Sequence, residues 1–450
     1  MTDSANLQFK SFRNGALSLV KRLADAGFEA FLVGGSVRDE QLGLIPKDYD
    51  IATNAKPEDI EQLFSKTIPV GKQFGVMIVL DLGHEYQIAT FRAEADYSDG
   101  RHPNTVRFSD AREDALRRDF TINGLFYDPI AETLHDWVGG KNDLELKCIR
   151  TIGNPVDRFC EDRLRMLRAV RFAAQLGFEI ESETLIAIRE NCELILDVSG
   201  ERIRDELLKI FKPPYAGRGL DLLHESGLLA EVLPELKELI GCKESYGHHP
   251  EGDVFSHVRL MLSKLTVTAS IELIWSVLMH DLGKPATFSR DGNGQIGFFG
   301  HEKKGEDITR RVMSRLRFPK NTIDVVATCV RCHIQLKDAQ NMRIATLRKL
   351  FLRHHFMTEL ELYRIDCLCS SGRLDNFIYI QDQLEAFDRK PEMKESYING
   401  DDLISLGKLP GPDFGRLLKQ ARDHQLEGEI TSRKQALDWL KAQVEEIGTK

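Results

Sequence analysis

The chain lacks a basic excess: 61 lysines and arginines stand against 70 aspartates and glutamates, a formal net charge of −9. That balance excludes a general polyanion binder, whose affinity comes from a surplus of cations. Long hydrophobic runs are missing as well, and none approaches the ~20 residues that span a bilayer. The first twenty residues are polar and mixed, which argues against a secretion signal. Eight cysteines are scattered along 450 residues, and without an export signal they are expected as reduced thiols in the cytoplasm. Cys329-Val-Arg-Cys-His333 has haem-attachment spacing, but that chemistry belongs to exported proteins, and no second ligand pair stands at zinc-site spacing. Repeats and low-complexity tracts are absent too, so the length points to about three domains with ample core.

What is present begins with Asp48 and Asp50, one residue apart, just after the run Phe31-Leu-Val-Gly-Gly-Ser-Val-Arg-Asp39. If Asp48–Ile51 is a strand, alternation points both carboxylates the same way. Two such oxygens suit Mg²⁺, a hard cation that prefers carboxylates and substrate phosphates. Glu29–Val33 reads as a short apolar strand and Val37 onward as a helix. Gly34 and Gly35 fall at the turn between them, where bare backbone N–H groups can approach a phosphate, and Arg38 adds a charged fork. Alone, each feature is more often a tight turn or a solvated cap; together they equip one segment for nucleotidyl transfer.

Further along come Arg117-Arg-Asp-Phe-Thr-Ile-Asn123, Asp136-Trp-Val-Gly-Gly-Lys-Asn-Asp143, and Glu161-Asp-Arg-Leu-Arg165 continuing to Phe172. With the glycine turn and the aspartate pair, this ordered series resembles the class II tRNA nucleotidyltransferase and bacterial poly(A) polymerase family. The resemblance implies an α+β chain: a polymerase-β-like head of mixed sheet and helices over 1–145, a helical neck and body over 146–243 for nucleotide selection and RNA binding, an HD-type domain over 244–372, and a helical tail over 373–450. It implies untemplated addition of nucleotides from CTP and ATP to the 3′ end of tRNA, with no membrane partner. Asp48 and Asp50 would hold Mg²⁺, and Arg117, Arg118, Asp119 and Asn123 would contact ribose and phosphate.

Asp162 and Arg165 are three apart and would share a face if Asp157–Leu176 is one helix, a period supported by Phe159, Leu164, Leu167, Val170 and Ala174. A carboxylate accepts from an exocyclic amine and a guanidinium donates to ring nitrogens or carbonyls, so this pair can select cytosine and adenine. Without the family position, an ordinary helix salt bridge is the better reading. Arg168 and Arg171 match family positions that contact nucleotide. Together with Arg158 and Arg163 these arginines make a local basic cleft on an acidic body. Where many members carry a glutamate this chain has Gln87, which is therefore left out of the metal site. Val70-Gly-Lys-Gln-Phe74 resembles the CCA-adding type, and the polar stretch Ala93–Asp110 resembles the flexible loop of members that add the terminal A. Poly(A) or A-only addition is the alternative.

A second constellation comprises His257, His280-Asp281 in Leu278-Met-His-Asp-Leu-Gly-Lys-Pro285, and Asp366. It resembles the HD-type phosphohydrolase superfamily, in which such residues bind a metal; His301 and His333 sit where binuclear members place extra ligands. Imidazole with carboxylate suits a transition metal such as Mn²⁺ or Ni²⁺. Substrates implied are 2′,3′-cyclic phosphates at RNA ends, or phosphomonoesters. Coarsely, a lead helix should end near Gly27, strands should meet at a turn on Gly83, and the pattern should be helical from 146 onward. A helix should close with Gly227 at C′, a turn should occupy Asn399–Asp402, and a charged helix should lie near 431–447.

Overall fold

A computed structural model describes residues 3–97, 103–243, 252–292, 294 and 296–448. The tip of the polar stretch, 98–102, and the expected start of the HD segment, 244–251, lie outside the described residues. Contacts within the chain divide it into two compact units, Met1–Lys237 and Glu238–Lys450.

The first unit opens with α1 (Asp3–Asp25), which buries Ala16, Leu19, Val20 and Leu23 at helical spacing. It stops before Gly27, whose φ is +89°. The elements that follow are β1 (Ala30–Val33), α2 (Gly35–Gln41), β2 (Asp50–Thr53), α3 (Pro57–Leu63), β3 (Thr67–Gly71), β4 (Val76–Asp81) and β5 (His84–Thr90). Then come β6 (Arg92–Tyr97), β7 (Pro103–Phe108), α4 (Ala111–Leu116), β8 (Phe126–Asp128), β9 (Thr133–His135) and α5 (Gly140–Glu145). Seven of the strands form one mixed sheet in the order β3-β4-β5-β2-β1-β8-β9. Its neighbours are antiparallel except β2 and β5, which run parallel with Asp50 opposite Gln87. Phe31, Phe91 and Phe126 anchor the core on one face, with Phe31 about equally far, 6.0 Å, from both other rings.

Two expectations change here. Asp48 precedes the strand rather than opening it, although Tyr49 between the aspartates is buried and the alternation holds. The described part of Ala93–Asp110 is a two-stranded antiparallel ribbon rather than a loop, with Arg92 opposite Phe108 and Tyr97 opposite Pro103. Thr105 and Val106 on one strand and the aromatics near the ends favour pleated backbone, a preference that the polar composition concealed.

The rest of the first unit is mostly helical: α6 (Pro155–Glu161), α7 (Arg165–Leu176), α8 (Ser182–Asn191), α9 (Gly200–Ile210) and α10 (Ala216–Glu225). A small parallel pair, β10 (Cys148–Ile149) with β11 (Glu179–Ile180), interrupts the expected all-helical run. The single helix expected over 157–176 also breaks. Asp162 is extended (φ −143°, ψ 105°), and its Oδ1 accepts the Leu164 N–H at 3.1 Å. A short polar side chain competing with the backbone ladder ends one helix and starts the next. Helix α10 closes as read, with Gly227 at φ +81°.

In the second unit, the helices Val254–Lys264, Ile271–Met279, His301–Arg315, Lys320–Cys332 and Phe356–Cys369 surround a core that includes Trp275, Leu278, Val312, Val326 and Leu362. Ser289–Arg290 and Ile296–Gly297 form a short antiparallel ribbon. The expected turn at Asn399–Asp402 is instead a helix start: Asn399 caps Gly400–Ser405, and the Asp402 side chain reaches back to the Asn399 N–H. A final helix covers Arg433–Gly448. Among the described residues no helix is long and apolar enough to cross a membrane.

Candidate active site and a second candidate metal centre

A cavity of about 990 Å³ opens beside the sheet of the first unit. Every head and neck residue expected to bind metal or nucleotide lines it: Gly34, Gly35, Arg38, Asp48, Asp50, Arg117, Arg118, Asp119, Asn123, Asp162, Arg165, Arg168 and Arg171, whereas Arg158 and Arg163 of the expected basic cleft do not and pair instead with Glu161 and Asp197. Eleven lysines and arginines face five aspartates on this lining, so a basic site exists within an acidic chain. Gly34 has φ +71° and ψ −129°, a conformation closed to other residues, and a Cβ there would stand 3.1 Å from an Arg118 nitrogen.

At the sheet, burial and then the neighbouring Asp48 charge push the Asp50 carboxyl up to about 6, against the pull of Arg118. A carboxyl raised by a neighbouring carboxylate in this way is matched to a cation held between the two. Gln87 lines the same cavity from the adjoining strand, so a neutral amide stands beside Asp50.

A continuous polar chain joins α2 to α7. Asp39 holds Arg38 through Nε and Nη2 at 2.9 and 2.6 Å, and Arg38 Nη1 donates to Asn123 at 2.7 Å. Asn123 donates to Asp119 at 3.0 Å, and Asp119 accepts Arg168 at 2.8 and 2.5 Å. Burial would raise the Asp119 carboxyl, but Arg168, Asn123 and Arg165 hold it well below the usual carboxylate range. Arg117 and Arg118 share the buried Asp114 carboxylate, and Arg171 is fastened to Glu206 at 2.8 and 3.0 Å.

Asp162 and Arg165, expected to select the base from one helix face, do not share one. Asp162 is held by Arg202, whose Nη2 donates to both oxygens at 3.0 and 3.1 Å. Arg165 donates to Glu161 at 2.5 Å and to the Arg158 carbonyl at 3.1 Å. Asp114, Arg202 and Glu206 were missed because a charged residue on a helix has no distinguishing sequence signal until its partner is placed.

The second unit brings the other candidates together. His257, His280 and Asp281 form one group able to hold a metal ion, and Asp281, His301 and His333 form another. Three imidazoles are oriented alike: Nδ1 of His280, His301 and His333 faces the carbonyl three residues back, at 2.9, 2.7 and 2.6 Å. A carbonyl only accepts, so Nδ1 carries the proton and Nε2 is the ring atom turned toward a metal. Those Nε2 atoms converge on Asp281, at 2.9 Å for His280, 3.7 Å for His301 and 3.8 Å for His333. His280 Nε2 is buried and faces Asp281. Burial, and after it the neighbouring His280, push His333 down to about 3, while burial also lowers His301. Neutral imidazoles and a carboxylate with converging lone pairs fit a transition metal. Asp366 reaches the cluster through His257, 3.1 Å away. Gly283 is needed for this approach, because a Cβ there would lie 2.0 Å from the His301 carbonyl.

Paired aspartates at the start of the central strand of a mixed sheet, facing a cation-rich cavity, define the nucleotidyltransferase class. Comparison with known proteins narrows it. Residues 30–150 match the poly A polymerase head domain, 177–240 the RNA and SrmB-binding site of polymerase A, and 301–440 a tRNA nucleotidyltransferase domain 2. The CCA-adding enzyme of Bacillus licheniformis is 34% identical over 94% of this chain and 97% of its own length. That of Bacillus pumilus is 45% identical, over 50% of this chain and 56% of its own length. The crystal structure of the Bacillus stearothermophilus CCA-adding enzyme in complex with CTP superposes with a TM-score of 0.74 at 28% identity, covering 98% of this chain and 99% of that one. The chain belongs to the CCA-adding enzyme family, and is a tRNA nucleotidyltransferase.

Proposed function

We propose that this chain adds C, C and A in turn to the 3′ end of tRNA from CTP and ATP. One observation carries the reading: the aspartate pair at the sheet and the Asp162–Arg165 segment of the neck line the same basic cavity. A nucleotide whose phosphates lie near Asp48 and Asp50 can therefore present its base to the neck. The new bond joins the primer 3′-oxygen to the α-phosphorus, and pyrophosphate leaves. Asp48 and Asp50 would hold Mg²⁺, which would supply Lewis acidity to the primer hydroxyl and the triphosphate. Arg38 and Arg118 neutralise phosphate charge, and the chain through Asn123, Asp119 and Arg168 fixes the ribose end of the cavity. Asp162 accepts the exocyclic amine of cytosine or adenine, whereas uracil and guanine would turn a carbonyl toward it.

The work is divided as the sequence suggests: transfer by the head (1–145), selection and RNA binding by the neck and body (146–243), a phosphohydrolase centre over 244–372, and a supporting tail beyond. The converging imidazoles favour that second activity, and Mn²⁺ or Ni²⁺ held there would supply Lewis acidity. His257, His280, Asp281 and Asp366 would hold one ion, and His301 and His333 would complete a second site.

The deciding experiment incubates a tRNA transcript lacking its last three nucleotides with Mg²⁺ and each nucleoside triphosphate, singly and together. Addition of C, C and A followed by a halt is the expected product on a sequencing gel. Long A tracts would establish a poly(A) polymerase instead, and A added only after a preformed CC an A-adding enzyme. No extension would overturn the transfer reading.

A further inference from the structure

Next to the second centre lies a row of aromatic side chains that the reactions above do not use. Lys284 Nζ stands 2.7 Å from Asp281 Oδ2 and 5.5 Å from the centre of the Phe298 ring. The Phe298 ring is 5.9 Å from that of Phe288, and the Arg290 guanidinium lies 5.7 Å from Phe288 on the other side. The row is tied to the centre by backbone, since the Phe298 carbonyl accepts the His301 Nδ1–H. Ordinary core aromatics are buried; here Phe288 is 44% exposed and Phe299, two residues before His301, is 88% exposed. Exposed rings flanked by cations, starting one lysine away from a metal-binding carboxylate, have the chemistry of a base-stacking surface.

We propose that Phe288, Phe298 and Phe299 form a platform that stacks the nucleobase of an RNA 3′-terminal nucleotide while Lys284 and the Asp281 cluster receive its phosphate. A 2′,3′-cyclic phosphate, the substrate class already read for this centre, is then preferred when it carries a nucleobase over the same ring without one. In its hydrolysis a water oxygen joins phosphorus, one P–O bond to the ribose breaks, and the proton ends on the departing ribose oxygen. Stacking is indifferent to base identity, so any terminal nucleotide is accepted. The proposal rests on the phosphohydrolase reading of this centre.

Its test uses the full chain, with Phe288→Ala and Phe299→Ala beside the wild type. With Mn²⁺, adenosine 2′,3′-cyclic phosphate is compared with glycerol 1,2-cyclic phosphate, which has the ring but no base. Each substitution should raise KM for the adenosine substrate by about five- to a hundred-fold, the range of one lost stacking contact, leaving kcat and the glycerol substrate unchanged. A binding readout without metal follows the fluorescence of 2-aminopurine riboside 3′-phosphate in EDTA, which stacking quenches. Part of the quench should disappear in both variants and return in Phe288→Trp. Unchanged KM together with an unchanged quench overturns the platform, whatever the activity. Loss of quench in the variants of a protein that hydrolyses neither substrate sustains the platform and overturns only the phosphohydrolase reading.

Discussion

At the residue scale, Asp50 and Arg202 carry the sharpest expectations. Asp50 is partly buried beside Asp48 and is pushed up to about 6. Between the ordinary carboxyl value and about pH 6, the folded protein retains a proton that the unfolded chain has released. Stability therefore falls as pH rises through that window. Asp50→Asn should abolish nucleotide addition yet raise stability at pH 7.5 by roughly 1–2 kcal/mol, from the ~1.4 kcal/mol carried by each pKa unit and a discount for partial exposure. The gain should shrink toward pH 4. Denaturant melts of both proteins across this range check it, and a variant less stable than wild type at pH 7.5 would refute the electrostatic account. Arg202 Nη2 donates to both oxygens of Asp162, so it sets where that carboxylate points. Arg202→Ala should lower the preference for CTP over UTP about tenfold, the size of one charge-assisted hydrogen bond. Arg202→Lys should restore part of it. Equal losses of kcat/KM for both nucleotides would assign Arg202 a purely structural role.

At the scale of elements, close approach decides. The helix His301–Arg315 comes so near the segment after His280–Asp281 that only glycine fits at position 283. Gly283→Ala should cost on the order of 1–3 kcal/mol, as overpacking usually does, and should move His301 away from Asp281. Calorimetry with Mn²⁺ would then show weakened binding, whereas tRNA extension should persist. Normal Mn²⁺ affinity in a well-folded Gly283→Ala protein would show that His301 is not held by this contact. The broken helix at Asp162 belongs to the same scale. By leaving the helical ladder, Asp162 offers its carboxylate to the cavity while still capping the next turn.

At the scale of the whole molecule, the two sites lie in separate compact units, the cavity residues before Lys237 and the imidazole cluster after Glu238. Asp48→Ala should eliminate extension and leave any phosphohydrolase activity intact, and His280→Ala should do the reverse. Loss of both activities in either variant, with folding preserved, would show that the sites depend on one another. The overall charge of −9 surrounds a cavity lined by eleven cations. RNA affinity should thus weaken with salt, because contacts to phosphate release counterions.

By itself the sequence determined the kinds of element and the chemistry they carry. The alternation around Tyr49, the glycine turn at 34–35, the helix stop at Gly227 and the order of the motifs are local, and local patterns survive in one dimension. All thirteen cavity residues expected from the head and neck, and all six of the second centre, could be named because their residue types stand in characteristic order. Tertiary structure decided the partners. Arg202 on Asp162, Asp114 beneath two arginines, Glu206 on Arg171 and the glycine beneath His301 depend on segments tens of residues apart meeting in space. It also decided the break at Asp162, where one side-chain hydrogen bond outweighed an apolar period that otherwise reads as continuous helix.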